Sequence, residues 1–370
     1  MNLEGGITSM RVMRAWRLHA YNDHRLEEVP VPEVKPGWAL VKVKVVQMAV
    51  VDAGLIQGMP HLHQSHIKKI FSEGKPVQLG HEFCGEVVEI GEGVATLKPG
   101  DRVGTTSYSP CGTCRMCREG KRCLTPLVIG SQIPGAYSEY MVVPEIGLIK
   151  IPDGPTDNAA AAFQPLSAAV AHVRSAEINM GDSVVVMGQG AMGLGVLQMA
   201  KFSGAGLLIA VDIRPETLAL AHEYGADIVL NSAEVDIVEG IKKITDGLGA
   251  DIVFEEAGGR VKDGLAGTKT LEQAFQIVKK GGKVLQGANI DGSMEIDQVF
   301  MRNRRISYIF TKSVQKEDYQ LGAFWVASGR VKIQPQISHV FHGLEKLPEA
   351  MEITVFKKKH RATNPAQIIV

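Results

Sequence analysis

The chain is poor in cysteine, with five residues in 370. A disulfide-stapled scaffold is a poor fit to so large and cysteine-poor a protein. An excess of charge of either sign is also missing. Forty basic residues balance forty acidic ones, which removes the electrostatic footprint of a nucleic-acid or anionic-membrane binder. Aromatic residues make up 6%, charged residues 22% and apolar residues 45%, an ordinary globular composition. No apolar run reaches the roughly 20 residues that span a bilayer. The start, Met1-Asn2-Leu3-Glu4-Gly5-Gly6, has no basic region followed by an apolar stretch. No secretory leader is therefore expected, and the expected location is the cytoplasm. The length allows two ordinary domains, each with its own core.

What cysteine there is lies almost entirely in one place. Cys111, Cys114, Cys117 and Cys123 follow the spacing C-x2-C-x2-C-x5-C. Four thiolates can close a tetrahedral zinc site and leave no position open, the pattern of structural zinc. One structural zinc ion per chain is the expectation, and a reduced compartment suits it. Arg115, Arg118, Lys121 and Arg122 add a small basic cluster, too small to argue for nucleic acid in a neutral chain.

The organisation changes near residue 155. Before it, short β-rich runs such as Trp38–Val46, Gly85–Ile90 and Ala136–Val143 alternate with Pro and Gly, as an irregular β-barrel requires. After it, apolar strands alternate with helical patterns, the rhythm of a parallel sheet. Strands are expected at Ser183–Gly188, Gly206–Val211, Ile228–Asn231, Ile252–Glu255 and Lys283–Gln286. Helices are expected at Met192–Ser203 and Glu216–Tyr224. The expected domains are 1–155, 156–312 and a segment 313–370 that packs back on the first. The fold class is α/β plus β.

Val184-Val-Val-Met-Gly188-Gln-Gly190-Ala191-Met192-Gly193 reads as a strand entering G-x-G-x-x-G and a helix. Its glycines allow a tight turn and close approach of backbone N–H groups to a pyrophosphate at the helix N-terminus. Asp212 ends the next strand, 24 residues beyond Gly188. Its carboxylate suits an adenosine ribose and repels a 2′-phosphate, so NAD is favoured over NADP. Arg214 nearby could soften that discrimination. A plainer alternative is that Asp212 merely caps the following helix.

The remaining chemistry gathers around Gly80-His81-Glu82-Phe83-Cys84-Gly85-Glu86-Val87. G-H-E-x-x-G-x-V, then Gly91-Glu-Gly-Val94, Lys98-Pro-Gly-Asp-Arg-Val103, the cysteine loop and the dinucleotide segment form an ordered series. From about Met13 onward the series resembles the zinc-type medium-chain alcohol and polyol dehydrogenases. The resemblance implies a GroES-like β-barrel domain bearing the chemistry, a Rossmann domain binding NAD, and a cleft between them. It also implies hydride transfer to or from an oxygen-bearing carbon of a small molecule, in a homodimer or homotetramer, with no nucleic acid and no membrane.

Two departures qualify it. The family holds its catalytic zinc with a Cys in G-I-C-G-[ST]-D, the His of G-H-E and a later Cys or Glu. The matching segment here is Gln47-Met48-Ala49-Val50-Val51-Asp52, with Ala49 at the cysteine and Val51 at the relay Ser/Thr. The later position falls at Gln164 in Phe163-Gln164-Pro165-Leu166-Ser167. A thiolate and a carboxylate are lost, and with them affinity for a dication. More mildly, the last cysteine interval is five residues where the family commonly has seven.

The residues expected to carry catalysis are His81, Glu82 and Asp52, with His81 titrating near neutrality as proton donor or acceptor. A rebuilt metal site through His61, His63 or Asp52 is a lesser expectation, since loop histidines usually face water. Other readings are a zinc-free 1,4-reductase of conjugated carbonyls and a non-enzymatic NAD-binding sensor. Leu55, His61, Phe83 and Phe310 are expected to shape the pocket. Cys84, three residues past His81 in a strand-like run, should face away from it.

Overall fold

The computed structural model describes residues 11–59, 64–119, 121, 123–259, 261, 265–290, 292–311 and 314–370. Two compact units divide the chain: 1–164 with 339–356 and 365–370, and 165–338 with 357–364.

The first unit opens with a hairpin of β1 (Val12–Ala20) and β2 (Asp23–Pro30). Asn22, with φ 63°, supplies the left-handed residue of its turn. Next come β3 (Trp38–Gln47), α1 (Val50–Ile56), α2 (Gln64–Ser72), β4 (Glu82–Ile90) and β5 (Arg102–Gly104). The cysteine lobe follows, with β6 (Tyr108–Ser109), the single turn α3 (Arg115–Arg118) and β7 (Leu127–Val128). β8 (Tyr140–Pro144), β9 (Ile149–Lys150) and α4 (Asp157–Ala161) complete this stretch. β3 is the spine of the sheet, pairing antiparallel with β4 and with β8. Val41, Val43 and Val46 of β3 pack into a core with Trp16, Phe83, Tyr137 and Met141. Leu55 and Phe83 belong to that core, at 6% and 2% exposure.

The second unit contains α5 (Phe163–Ala176), β10 (Ser183–Met187), α6 (Ala191–Phe202), β11 (Leu207–Asp212), α7 (Pro215–Glu223) and β12 (Ile228–Asn231). It continues through α8 (Ile237–Ile244), β13 (Ala250–Glu255), α9 (Lys269–Ile277), β14 (Val278–Gln286), α10 (Gln298–Arg304), β15 (Ser307–Phe310) and α11 (Lys316–Ala327). Its six strands are parallel in the order β12-β11-β10-β13-β14-β15. The order reverses between β10 and β13, the switch point at which such sheets bind ligands at their carboxyl ends. Val184, Val185 and Val186 are wholly buried, as a strand covered on both faces demands; each contributes roughly 1.5–3 kcal/mol by leaving water.

After residue 338 the chain gives the first unit β16 (Val340–His342), α12 (Leu347–Val355) and β17 (Gln367–Ile369), the last pairing with β3. The division therefore differs from the expected one. The boundary falls after Gln164 rather than at 155, and 314–338 lie with the second unit, as do 357–364. Packing explains the difference. On α11, Gly322 sits against Leu166 and Val170 of α5, and buried Asp318 holds Arg174 at 3.0 Å. No described helix is long and apolar enough to cross a membrane.

Candidate active site and metal loop

In the first unit the end of β3, the start of α1 and the start of β4 bring three predicted side chains together. Asp52, on the first turn of α1, and His81, just before β4, are both buried, with Oδ2 and Nδ1 3.4 Å apart. Burial works against the imidazolium. The Asp52 charge, its hydrogen bond and the Glu82 charge outweigh burial and raise the His81 pKa to about 9. Glu82 turns elsewhere: its Oε2 accepts from Gln47 Nε2 at 2.5 Å. Gln47 in turn accepts from Gln367 on β17 at 3.0 Å.

Tyr137 was not legible as a site residue. Its buried hydroxyl donates to Asp52 Oδ2 at 3.0 Å and accepts from the Ala49 N–H at 3.2 Å. Burial, then the charges of Asp52 and Glu82, push its pKa well up, so it stays a donor. The ring of His24 lies 6.5 Å from that of Tyr137, and burial lowers its pKa to about 4 despite Asp52. Nothing distinguishes either residue in sequence, where Tyr and His in strand runs are ordinary.

No donor set for a catalytic metal converges around His81 among the described residues. Among the described residues, the cysteine loop is the one group of three or more His, Cys, Asp or Glu side chains whose ligand atoms lie close together. Ala49 offers no donor, and Gln164 donates to Ser107 Oγ at 2.8 Å. His61 and His63 lie outside the described residues. Cys84 contacts Asp157 at 3.4 Å rather than the His81 group, and burial pushes its thiol up to about 12.

The cysteine loop fits zinc. All four sulfurs lie within 4.8 Å of one another, with Cys111–Cys117 at 4.0 Å and Cys114–Cys123 at 3.9 Å. A tetrahedron of bonds near 2.3 Å has edges of about 3.8 Å. All five cysteines are free thiols. Backbone N–H groups of Cys111, Cys114 and Cys117 each donate to a neighbouring cysteine sulfur at 3.4 Å. N–H donors at Thr113 and Cys114 lower the Cys111 pKa to about 5, whereas desolvation and neighbouring sulfurs push Cys117 up to about 12. The last thiol gives up its proton readily only to a cation. The nearby basic residues are partly neutralised, because Glu119 pairs with Arg115 and Lys121; Arg122 lies outside the described residues.

In the second unit the three fingerprint glycines have different causes. Gly188 has φ +92°, and a Cβ there would meet Ala257 Cα at 2.7 Å. A Cβ on Gly193 would overlap the Gly188 carbonyl oxygen. Gly190 has an ordinary φ of −77°, and a Cβ there would meet nothing within 4 Å. The fold needs the first and third; the second keeps open a space beside the N-terminus of α6. There the N–H groups of Ala191, Met192 and Gly193 have no intrahelical acceptor, which suits an anion. Asp212 Oδ2 accepts from the Gln189 N–H at 2.6 Å, so the acid faces the loop. Its Oδ1 accepts from the Ile213 and Arg214 N–H groups at 2.7 and 2.9 Å on the approach to α7, whose N-cap is Arg214. Arg214 is held by Asp212 and by the Ala362 carbonyl at 2.6 Å. Phe310, at the end of β15, is 68% exposed.

A β unit carrying a four-cysteine loop that fits zinc, in one chain with a Rossmann unit that has an acid at the second strand, is the arrangement of the alcohol dehydrogenase class. The family model for the alcohol dehydrogenase GroES-like domain matches residues 35–153, and that for zinc-binding dehydrogenases matches 191–327. The chain is 30% identical to an uncharacterised zinc-type alcohol dehydrogenase-like protein of Escherichia coli, over 90% of this chain and 91% of that one. It is 34% identical to an erythritol/L-threitol dehydrogenase of Mycolicibacterium smegmatis, over 77% and 78%. A Sinorhizobium meliloti protein assigned as a zinc-binding dehydrogenase, solved with NADP bound, superposes with a TM-score of 0.81 at 28% identity, covering 97% of this chain and 100% of that one. The chain belongs to the zinc-type alcohol dehydrogenase family. It is an NAD(P)-dependent, alcohol-type oxidoreductase.

Proposed function

We propose that the protein oxidises a small secondary alcohol, or reduces the matching ketone, with NAD(H), using one structural zinc ion and no family-type catalytic zinc. The observation that carries this is the buried His81–Asp52 pair, taken with Ala49 and Gln164 at the positions where the family resemblance implies metal ligands. When bound, the nicotinamide supplies or accepts the hydride. His81 holds the proton that balances it: protonated up to about pH 9, it donates to a ketone oxygen at neutral pH and accepts from an alcohol as the pH rises. Asp52 holds the imidazole, and Tyr137 holds Asp52. Glu82, tied to Gln47, adds negative potential.

NAD is favoured because Asp212 presents a carboxylate to the ribose end, while Arg214 partly offsets its charge, so discrimination against NADP is expected to be incomplete. From the family resemblance we infer a homodimer or homotetramer, and the neutral composition fits a cytoplasmic enzyme with small-molecule substrates. The test is a panel of alcohols and ketones assayed with both dinucleotides. Turnover in the panel, with His81→Ala lowering hydride transfer at least 100-fold and dinucleotide affinity less than threefold, supports the reading. A His81→Ala enzyme of unchanged rate removes His81 from the chemistry.

A further inference from the structure

A buried acid–histidine pair lies at the carboxyl edge of the parallel sheet, and no step described so far uses it. His172 on α5 and Glu256, directly after β13, meet with Nδ1 and Oε1 2.8 Å apart, their side chains 8% and 1% exposed. Burying a carboxylate without water is costly unless it is paired, so the position is built rather than incidental. Gly287 shows the same. Its φ is not in the left-handed region, so the backbone does not demand glycine. A Cβ there would strike both Glu256 carboxylate oxygens and His172 Cε1.

The surroundings place the pair at the switch point. The Glu256 N–H donates to the Met187 carbonyl at the end of β10, at 2.8 Å. The N–H groups of Gly287 and Ala288, following β14, donate to the Glu255 carbonyl at 2.9 and 3.1 Å. Glu256 thus stands where the ends of β10, β13 and β14 are stitched together. Glu255 is turned to a different set of partners, accepting from Ala257, Gly258 and Thr270. Asp212 on β11 marks the adenosine side of the reversal, so β13 and β14 lie on the side left for the nicotinamide half.

We propose that Glu256, positioned by His172 and given room by Gly287, biases the dinucleotide site toward the oxidised cofactor. Nicotinamide carries a positive charge when oxidised and none when reduced. A carboxylate fixed in a low-dielectric floor attracts the first and is indifferent to the second. His172 acts as a positioning residue, holding the carboxylate in one rotamer. The inference rests on dinucleotide binding by this unit and needs neither His81 nor a metal.

The test is direct binding of NAD+, NADH, NADP+ and NADPH to the full-length protein and to Glu256→Gln, by calorimetry. The expected result is that the variant loses about tenfold in affinity for the oxidised form, while affinity for the reduced form changes less than twofold. Should Glu256→Gln fail to fold, a double variant, E256A with G287A, removes the charge while the alanine methyl fills its volume; the same selective loss is expected. Equal affinities before and after, or equal weakening of both redox forms, overturns the proposal. A wild-type protein that binds none of the four overturns instead the dinucleotide reading beneath it.

Discussion

His81 keeps its proton because two carboxylates outweigh the penalty of burial, and this has a thermodynamic consequence. A histidine whose folded pKa is raised from 6.5 to about 9 contributes stability that is complete below pH 6.5 and lost as the pH rises through 9. The unfolding free energy of the wild type should therefore fall between pH 6.5 and 9 by up to about 3 kcal/mol more than that of His81→Gln. Parallel curves in thermal melts would contradict the pairing. Thiol chemistry gives a second residue-level prediction. After chelation, alkylation near pH 7 should modify Cys111 first and spare Cys84, whose thiol is buried and raised to about 12; mass mapping checks the order. His81, Asp52 and the cysteines were legible because their residue types and order carry the chemistry. Tyr137, Gln47 and the His172–Glu256 pair were not, since each becomes special only through a partner distant in the chain.

At the scale of elements, the glycine loop separates folding from binding. Gly190→Ala should leave thermal stability within about 0.5 kcal/mol, yet weaken dinucleotide binding at least tenfold, because the added methyl enters open space at the helix N-terminus. Gly193→Ala should destabilise the protein by about 1–3 kcal/mol, because its methyl meets the Gly188 carbonyl. Paired melts and titrations check both, and the reverse pattern would contradict the assignment of roles. The strands β10, β11, β12 and β13 could be read from sequence because buried parallel strands are short, continuous apolar runs. The β1–β2 hairpin could not. β2, Asp-His-Arg-Leu-Glu-Glu-Val-Pro, is mostly polar and becomes a strand only by pairing along the length of β1. α11 was missed as part of the second unit because Gly322 and Asp318 find their partners on α5, far back in the sequence.

For the whole molecule, the order of motifs along the chain carried the family, the two-unit architecture and the oxidoreductase class. It did not carry the point at which the chain crosses between units, because that depends on which helix faces pack. We propose that the chain retains a thiolate-held structural zinc and carries its proton chemistry on His81, without the family's second zinc. The most direct measurement is zinc per chain, by elemental analysis, on protein purified without added metal and active in the substrate panel, alongside a Cys111→Ala/Cys114→Ala variant. One zinc per active chain is expected, and near zero in the variant. Two zinc ions per active chain, or a content unchanged by the cysteine substitutions, would contradict it.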